Sequence, residues 1–514
     1  MKFFFFPKRA LWVLLSGMLL VASCKKNDNP HKTSGDGSYS MEDSLKFYTW
    51  YYTLSDSANL AQYYWNDQVP TLNPFSAQFP NADSLLYGQN GIASYPEVSG
   101  KKVDRYSFLD RTGAVSDQIE GGQLGNMGME ITWVDEGSGK TSLWVIYSYS
   151  SSPAGQAGIG RGWEIIGVNN STDVSYDGPG YGDGSSKNAN NVINAVYNSP
   201  SSTFTFRKPS GSDTTISLAT AQYSFNPILL DTVYTVNATK VGYLVFSSFV
   251  DVFTYDQDGN VAQGTATKTA IDNAFGKFQA AGIKNLIVDL RYNGGGAVST
   301  AEYLDDLIVP SSANGKEMYE YNFNKEWNDF YAANNVTLKV NYSKQGNLEL
   351  DNVFFIVGPD TYSASELTMN NLKPYMTVKL VGSTTGGKPV GFIPASIYIV
   401  NDTTKQETYA ADLYAINFET KNALQQGGYF FGIDPDQSEG DYVDVSWGDT
   451  SDPNLADIFG YIKNGSFSRN QARLSEMKGV NIFRNAPSPI LSRRFNGMVD
   501  YRLNLKRKSI SKLK

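Results

Sequence analysis

Two residues of this 514-residue chain have the types and setting to do chemistry together: Ser363 and, 25 positions on, Lys388. Ser363 falls where an apolar run, 353–357, passes through Gly-Pro-Asp-Thr into a segment read as a helix. A hydroxyl at a strand-to-helix turn suits nucleophilic attack, because the first N–H groups of the helix are unpaired and point toward developing negative charge. A serine hydroxyl also needs a base. The one histidine, His31, lies in a polar leader, which argues against a Ser-His-Asp triad. The one cysteine, Cys24, lies there too, which excludes a Cys-His enzyme and a Cys/His zinc site. Lysine remains, and burial makes its amine a base near neutrality by disfavouring the charged form. Lys388 follows two glycines after a second apolar run, 378–381. This chemistry calls for no metal and no cofactor.

Each feature has a plainer reading. Ser363-x-x-Glu366 is also a capping box, which is compatible with a catalytic Ser363. Taken singly, Lys388 is a solvated loop lysine and Asn293-Gly-Gly-Gly is a turn; the weight comes from finding them together. Gly382-Ser-Thr-Thr-Gly-Gly387-Lys388 also fits the GxxxxGK of a phosphate-binding loop. That loop needs Ser or Thr next, for magnesium, and then a helix; here Pro389 follows, and then the strand-like run 392–400, so no nucleotide is expected.

Ser363-Ala-Ser-Glu366, the TxGGK loop ending in Lys388, and Asp289-Leu-Arg-Tyr-Asn-Gly-Gly-Gly296 after the apolar run 286–290 together resemble the C-terminal processing, or tail-specific, serine proteases. The resemblance implies a Ser363/Lys388 dyad, endopeptidase activity through an acyl-enzyme, and an oxyanion hole formed by the N–H groups of Ala364 and Gly295. It also implies a catalytic domain built on a twisted sheet of the ClpP/crotonase-like kind. Residues 430–436 (FFGIDPD) resemble the family's late GIxPD segment, and residues 452–463 its closing helix. One position departs from the pattern: Phe392 stands where these enzymes usually carry a glutamine that orients the lysine. A non-catalytic peptide- or ligand-binding lipoprotein on the same fold is the alternative.

The expected fold class is multidomain α/β. Residues 1–23 have a basic start, an apolar run too short to span a membrane, and Val21-Ala22-Ser23 before Cys24, which reads as a lipoprotein signal with Cys24 as the lipidated residue. Lys25 and Lys26 resemble an outer-membrane sorting pattern. Residues 24–40 read as a flexible tether. Residues 41–115 read as a small helical N-terminal domain, with Leu45, Tyr48, Tyr52, Leu60 and Tyr64 at helical spacing over 41–64, broken near Ser55-Asp-Ser57, and a second helix over 82–86.

Short strands with Gly and Ser turns fill 116–225. There Gly128-Met-Glu-Ile131 and the segment from Ser152-Pro-Ala to Gly162 resemble a PDZ domain, which implies that Gly128, Met129, Glu130 and Ile131 hold a peptide C-terminus. Residues 226–465 alternate strands with helices, the pattern of an α/β catalytic domain. The tail, 466–514, holds twelve Lys or Arg against Glu476 and Asp500 and reads as a solvated, loosely ordered arm.

The formal charge is −8, and it becomes more negative once a leader carrying Lys2, Lys8 and Arg9 is removed, so nucleic acid is not an expected partner. The expected partners are a protein or peptide substrate, engaged through its C-terminus, and a membrane, engaged through the lipid anchor. Cys24→Ala is therefore expected to leave the chain unlipidated and move it from the membrane fraction to the soluble fraction, with the specific activity of recovered protein unchanged. Membrane-bound Cys24→Ala protein would shift the anchor to the basic tail.

Overall fold

The computed structural model describes residues 40–55, 60–178, 186–400, 404–467, 481–482 and 495–503. Cys24, His31, the leader and nearly all of the tether lie outside them.

The N-terminal segment contributes α1 (Met41–Leu54), α2 (Ala82–Tyr87) and the short strand β1 (Phe108–Asp110). A β-rich unit follows, with β2 (Met129–Gly137), β3 (Lys140–Ser148), β4 (Glu164–Val168), α3 (Lys187–Ile193), β5 (Ser201–Arg207) and β6 (Asp213–Ala219). Its antiparallel sheet runs in sequence order from β2 to β6, and Asn481–Ile482 pairs with the outer edge of β2 at Val134 and Asp135.

The α/β part begins with β7 (Ile228–Val236) and β8 (Thr239–Phe246), followed by α4 (Ala266–Ala281), β9 (Asn285–Asp289), β10 (Gly295–Ala297), α5 (Val298–Ile308) and β11 (Glu317–Phe323). It continues with β12 (Asn352–Val357), α6 (Ala364–Leu372), β13 (Thr377–Gly382), β14 (Val390–Phe392), β15 (Ala395–Val400), β16 (Glu407–Tyr414), β17 (Ile416–Asn422), β18 (Gln437–Ser438), α7 (Pro453–Asn464) and β19 (Gly497–Val499).

One sheet has the order β7-β8-β9-β12-β13-β18, antiparallel at β7–β8 and parallel thereafter. Its central strands β8, β9 and β12 are largely apolar because both faces are covered. Val353 and Phe355 pack toward α4, α5 and α6, while Phe354 and Ile356 pack toward Leu455 and Ile458 of α7. Alternate residues of a strand face opposite sides, so every residue of the run finds a core. A second six-stranded sheet contains β10-β19-β14-β17-β11 in that order, and a three-stranded one contains β15-β16-β1.

Two expectations change. The first helix ends at Leu54, at the break expected near Ser55, but residues 60–64 do not resume it and run instead onto the second sheet, where the Tyr64 N–H donates to the Ile416 carbonyl at 2.8 Å. The aromatic spacing that looked helical serves a different neighbour. Leu45, Tyr63, Trp65 and Leu85 share one core with Val390, Phe392, Tyr414 and Val499, so the N-terminal segment packs into the α/β part instead of forming a core of its own.

The tail also departs from a solvated arm over 495–503. Met498 and Val499 are buried, and β19 sits between β10 and β14. Phe495, Met498 and Val499 are an apolar patch that outweighs the basic composition around it, and Arg502 is neutralised by Glu302 and Asp500.

Candidate active site

The turn from β12 to α6 is fixed to the end of β9. The Thr361 hydroxyl donates to the Leu290 carbonyl at 2.7 Å and accepts from the Gly358 N–H at 2.9 Å. The Asn293 carbonyl then accepts from the Tyr362 N–H (3.1 Å) and the Ser365 hydroxyl (3.0 Å). Between these ties Ser363 is held at φ 57° and ψ −104°, a conformation that costs a residue with a β-carbon about 1–3 kcal/mol.

Glu366, one turn into α6, is fully buried. One carboxylate oxygen accepts from both the Ser363 N–H and the Lys388 N–H, each at 2.8 Å. The other accepts from the Gly387 N–H at 2.8 Å and from the Thr385 hydroxyl. Burial pushes the carboxyl up, and these four donors oppose that shift. The same anion thus caps the helix and clamps the Gly-rich loop against it, bringing Ser363 and Lys388 to one place.

The Lys388 side chain is wholly buried. Its Nζ lies 3.8 Å from the Phe392 ring centroid and 4.4 Å from that of Tyr106, and it donates to the Asn496 carbonyl at 2.7 Å. Desolvation drives the amine well below the usual lysine range; Asp104 and Glu366 oppose that shift and Arg105 adds to it. The Ser363 hydroxyl lies 3.4 Å from the Val390 carbonyl, to which it donates. Ser363 and Lys388 are therefore adjacent without a hydrogen bond between them.

Gly295 and Ala364 are neighbours: a β-carbon on Gly295 would lie 3.1 Å from the Ala364 nitrogen, and φ 107° at Gly295 favours glycine. The Gly295 N–H donates to the Asn293 side-chain oxygen at 2.9 Å, so it must leave that acceptor to serve an oxyanion.

Gly128, Met129, Glu130 and Ile131 are grouped at the start of β2. Gly128 has φ +76°, and a β-carbon there would overlap the Ser152 side chain, which makes glycine obligatory. The Glu130 carboxylate accepts from the Tyr197 hydroxyl at 3.0 Å.

Three parts of the site had no role in the sequence reading. Arg105 and Tyr106, from the N-terminal segment, donate to the Gly386 and Gly387 carbonyls at 3.0 and 3.1 Å. Arg161 of the β-rich unit and Arg291 of the Asp-Leu-Arg motif both pair with Asp441, at 2.8 and 3.0 Å. Asn496 reaches Lys388 from 108 positions away. Arg291 and Arg161 each lay within a quoted segment; for Asn496 the available signal was the apolar patch beside it.

Residues 240–437, which include Ser363 and Lys388, match the sequence model of Peptidase family S41. Among solved structures the chain is similar to a protein from Bacteroides fragilis NCTC 9343 described as an S41 protease, with 17% identity, 86% of this chain and 100% of that chain covered, and a TM-score of 0.57. It is also similar to the photosystem II D1 C-terminal processing protease, with 19% identity, 65% and 78% covered, and a TM-score of 0.35. No curated protein matches the chain. The family match and the fold shared with the Bacteroides protein support a serine peptidase of mixed α/β architecture.

Glu366→Ala would leave three N–H groups and a hydroxyl without their acceptor. An unanswered buried donor costs about 1–3 kcal/mol, so the variant is expected to lose at least about 3 kcal/mol in urea unfolding, and Glu366→Gln less. An unchanged unfolding midpoint for Glu366→Ala would remove the clamp.

Proposed function

We propose that this chain is a membrane-anchored serine endopeptidase that hydrolyses peptide bonds of exported proteins or peptides. The observation that carries the reading is the single buried carboxylate holding the backbone N–H groups of Ser363 and Lys388 at 2.8 Å each. It supports a dyad in which a desolvated lysine is the base.

Neutral Lys388 takes the proton of the Ser363 hydroxyl as that oxygen turns from Val390 and attacks the peptide carbonyl carbon. The oxyanion is received by the N–H of Ala364 and that of Gly295, once Gly295 has turned from Asn293. As the C–N bond breaks, the Lys388 ammonium gives its proton to the leaving amine. A water deprotonated by Lys388 then attacks the acyl carbon, releasing the carboxylic acid product and restoring Ser363. No metal or cofactor enters these steps.

The β-rich unit acts as a PDZ domain that receives a substrate C-terminus along residues 128–131. Cys24 carries the anchor, and the outer membrane is the proposed site. One observation favours the non-catalytic ligand-binding alternative: Ser363 and Lys388 are fully buried and are not hydrogen-bonded to each other. Active-site labelling with a fluorophosphonate decides between the two.

Lys388→Ala is expected to lower kcat by about 10²–10⁴-fold, the usual contribution of a positioned base, and Ser363→Ala, which removes the nucleophile, to abolish hydrolysis and fluorophosphonate labelling. Activity of the unaltered chain should rise with pH through one ionisation, because a protonated Lys388 cannot accept the serine proton. That ionisation must lie below the roughly 10.4 of a free lysine, since burial lowers it. A flat profile between about pH 5 and 9 would exclude the lysine base.

Substrate selection gives a separate expectation. Amidating a peptide C-terminus should weaken its binding by about 1.5–3 kcal/mol, the range for hydrogen bonds to a charged group. Equal affinity of the free acid and the amide in a titration would make the β-rich unit a spacer.

A further inference from the structure

We infer that Asn496, through its backbone carbonyl, is a positioning residue for Lys388, so that the C-terminal segment completes the base of the dyad; this rests on the lysine being the base. A neutral amine has two N–H bonds and one lone pair. The lone pair points at Ser363 in a defined way only if an acceptor fixes the N–H bonds.

Among the described residues that acceptor is the Asn496 carbonyl, 2.7 Å from Nζ. The walls beside the amine are the Phe392 and Tyr106 rings, which are poor hydrogen-bond acceptors. The charged groups around it are otherwise engaged. The Glu366 carboxylate is taken by the helix and loop N–H groups and the Thr385 hydroxyl. The Asp104 oxygens accept from the Tyr63 hydroxyl and from the Tyr106 and Ser107 N–H groups. Arg105 donates to Gly386.

The carbonyl is itself fixed, because β19 is an inner strand. The Gly497 N–H donates to the Gly294 carbonyl at 2.9 Å and the Asp500 N–H to the Phe392 carbonyl at 3.0 Å. Asp500 also accepts from the Tyr321 hydroxyl, and Arg502 ties it to Glu302. Gly497 lets the segment pass this close to the lysine. A β-carbon there would lie 2.7 Å from the Phe495 ring, 2.8 Å from the Phe392 ring and 3.0 Å from Nζ. The tail is thus built against the amine at backbone distance, and Phe392 leaves the acceptor's place to it.

A backbone carbonyl is tested by an ester. Gly497→glycolic acid, introduced by nonsense suppression in the full chain, weakens the Asn496 carbonyl and removes the Gly497 N–H. Asp500→malic acid removes a comparable ladder N–H of the same segment and leaves the Asn496 carbonyl intact. Lys388 is titrated by NMR of ε-¹³C-lysine in the Ser363→Ala background, and hydrolysis is measured in the Ser363 chain.

The carbonyl favours the ammonium over the amine, so weakening it should lower the Lys388 midpoint in the 497 ester and leave it unmoved in the 500 ester. Hydrolysis at high pH should fall about tenfold in the 497 ester, the scale of one hydrogen bond, and less than about twofold in the 500 ester. Equal Lys388 midpoints in the two esters overturn the proposal, whatever the activity. A midpoint shift confined to the 497 ester in a chain that hydrolyses nothing supports the positioning and removes the peptidase reading instead.

Discussion

One buried anion organises the centre of this molecule. Among the described residues the Glu366 carboxylate forms no ion pair, and it is balanced by three backbone N–H groups and a hydroxyl, all within the turn before α6 and the loop after β13. A bare carboxylate in a protein interior is expensive, and hydrogen-bonded donors are what make it tolerable. The dependence runs both ways. The loop of Thr385, Gly386 and Gly387 has few side chains with which to hold a conformation, and without the anion the Gly387 and Lys388 N–H groups would be buried and unanswered. The spacing from Ser363 to Lys388 therefore matters as the length of chain that leaves the helix start, completes α6 and β13, and returns to the same carboxylate.

The rest of the architecture can be read as support for that clamp. The loops after β9, β12 and β13 all leave the carboxyl ends of neighbouring parallel strands, the end at which open α/β sheets gather functional groups. Asn293 ties the first two loops together through its carbonyl, and its side chain reaches the Phe246 carbonyl at 2.8 Å at the end of β8. Two positions before it, Arg291 shares Asp441 with Arg161, so the β-rich unit and the glycine turn hold one carboxylate in common. Arg161 also stacks over Trp447 at 4.1 Å, and burial of both arginines makes that shared anion a structural requirement.

How much of this the sequence disclosed follows from how local each signal was. The runs at 286–290, 353–357 and 378–381 appear as strands at nearly those bounds because parallel strands covered on both faces are continuously apolar. The helix after Ser363 was equally legible, since cap and helix lie within four residues. Hidden features were those whose partner is remote in sequence. Tyr64 imitates helical spacing while bonding to β17, its N–H to the Ile416 carbonyl and its hydroxyl to Glu419. Tyr106 and Asn496 meet Lys388 from opposite ends of the chain, and the average composition of a basic tail masks the three apolar residues that bury it.

The nucleophile's backbone links stability to chemistry. Ser363 at positive φ is a conformation the chain would leave if released, since no side chain gains from it locally. It is retained because Tyr362 and Ser365 are both bonded to the Asn293 carbonyl and the Ser363 N–H to the Glu366 carboxylate. Relaxing the turn would break several of these bonds at once, each worth about 0.5–1.5 kcal/mol, and their sum is of the size needed to offset the strain. What the strain accomplishes is orientation: the hydroxyl is turned toward Val390 and the lysine loop, and the Ala364 N–H stays at the start of α6 beside Gly295. A relaxed helical Ser363 would turn its hydroxyl back onto its own helix, so the strained turn is what gives the hydroxyl a direction.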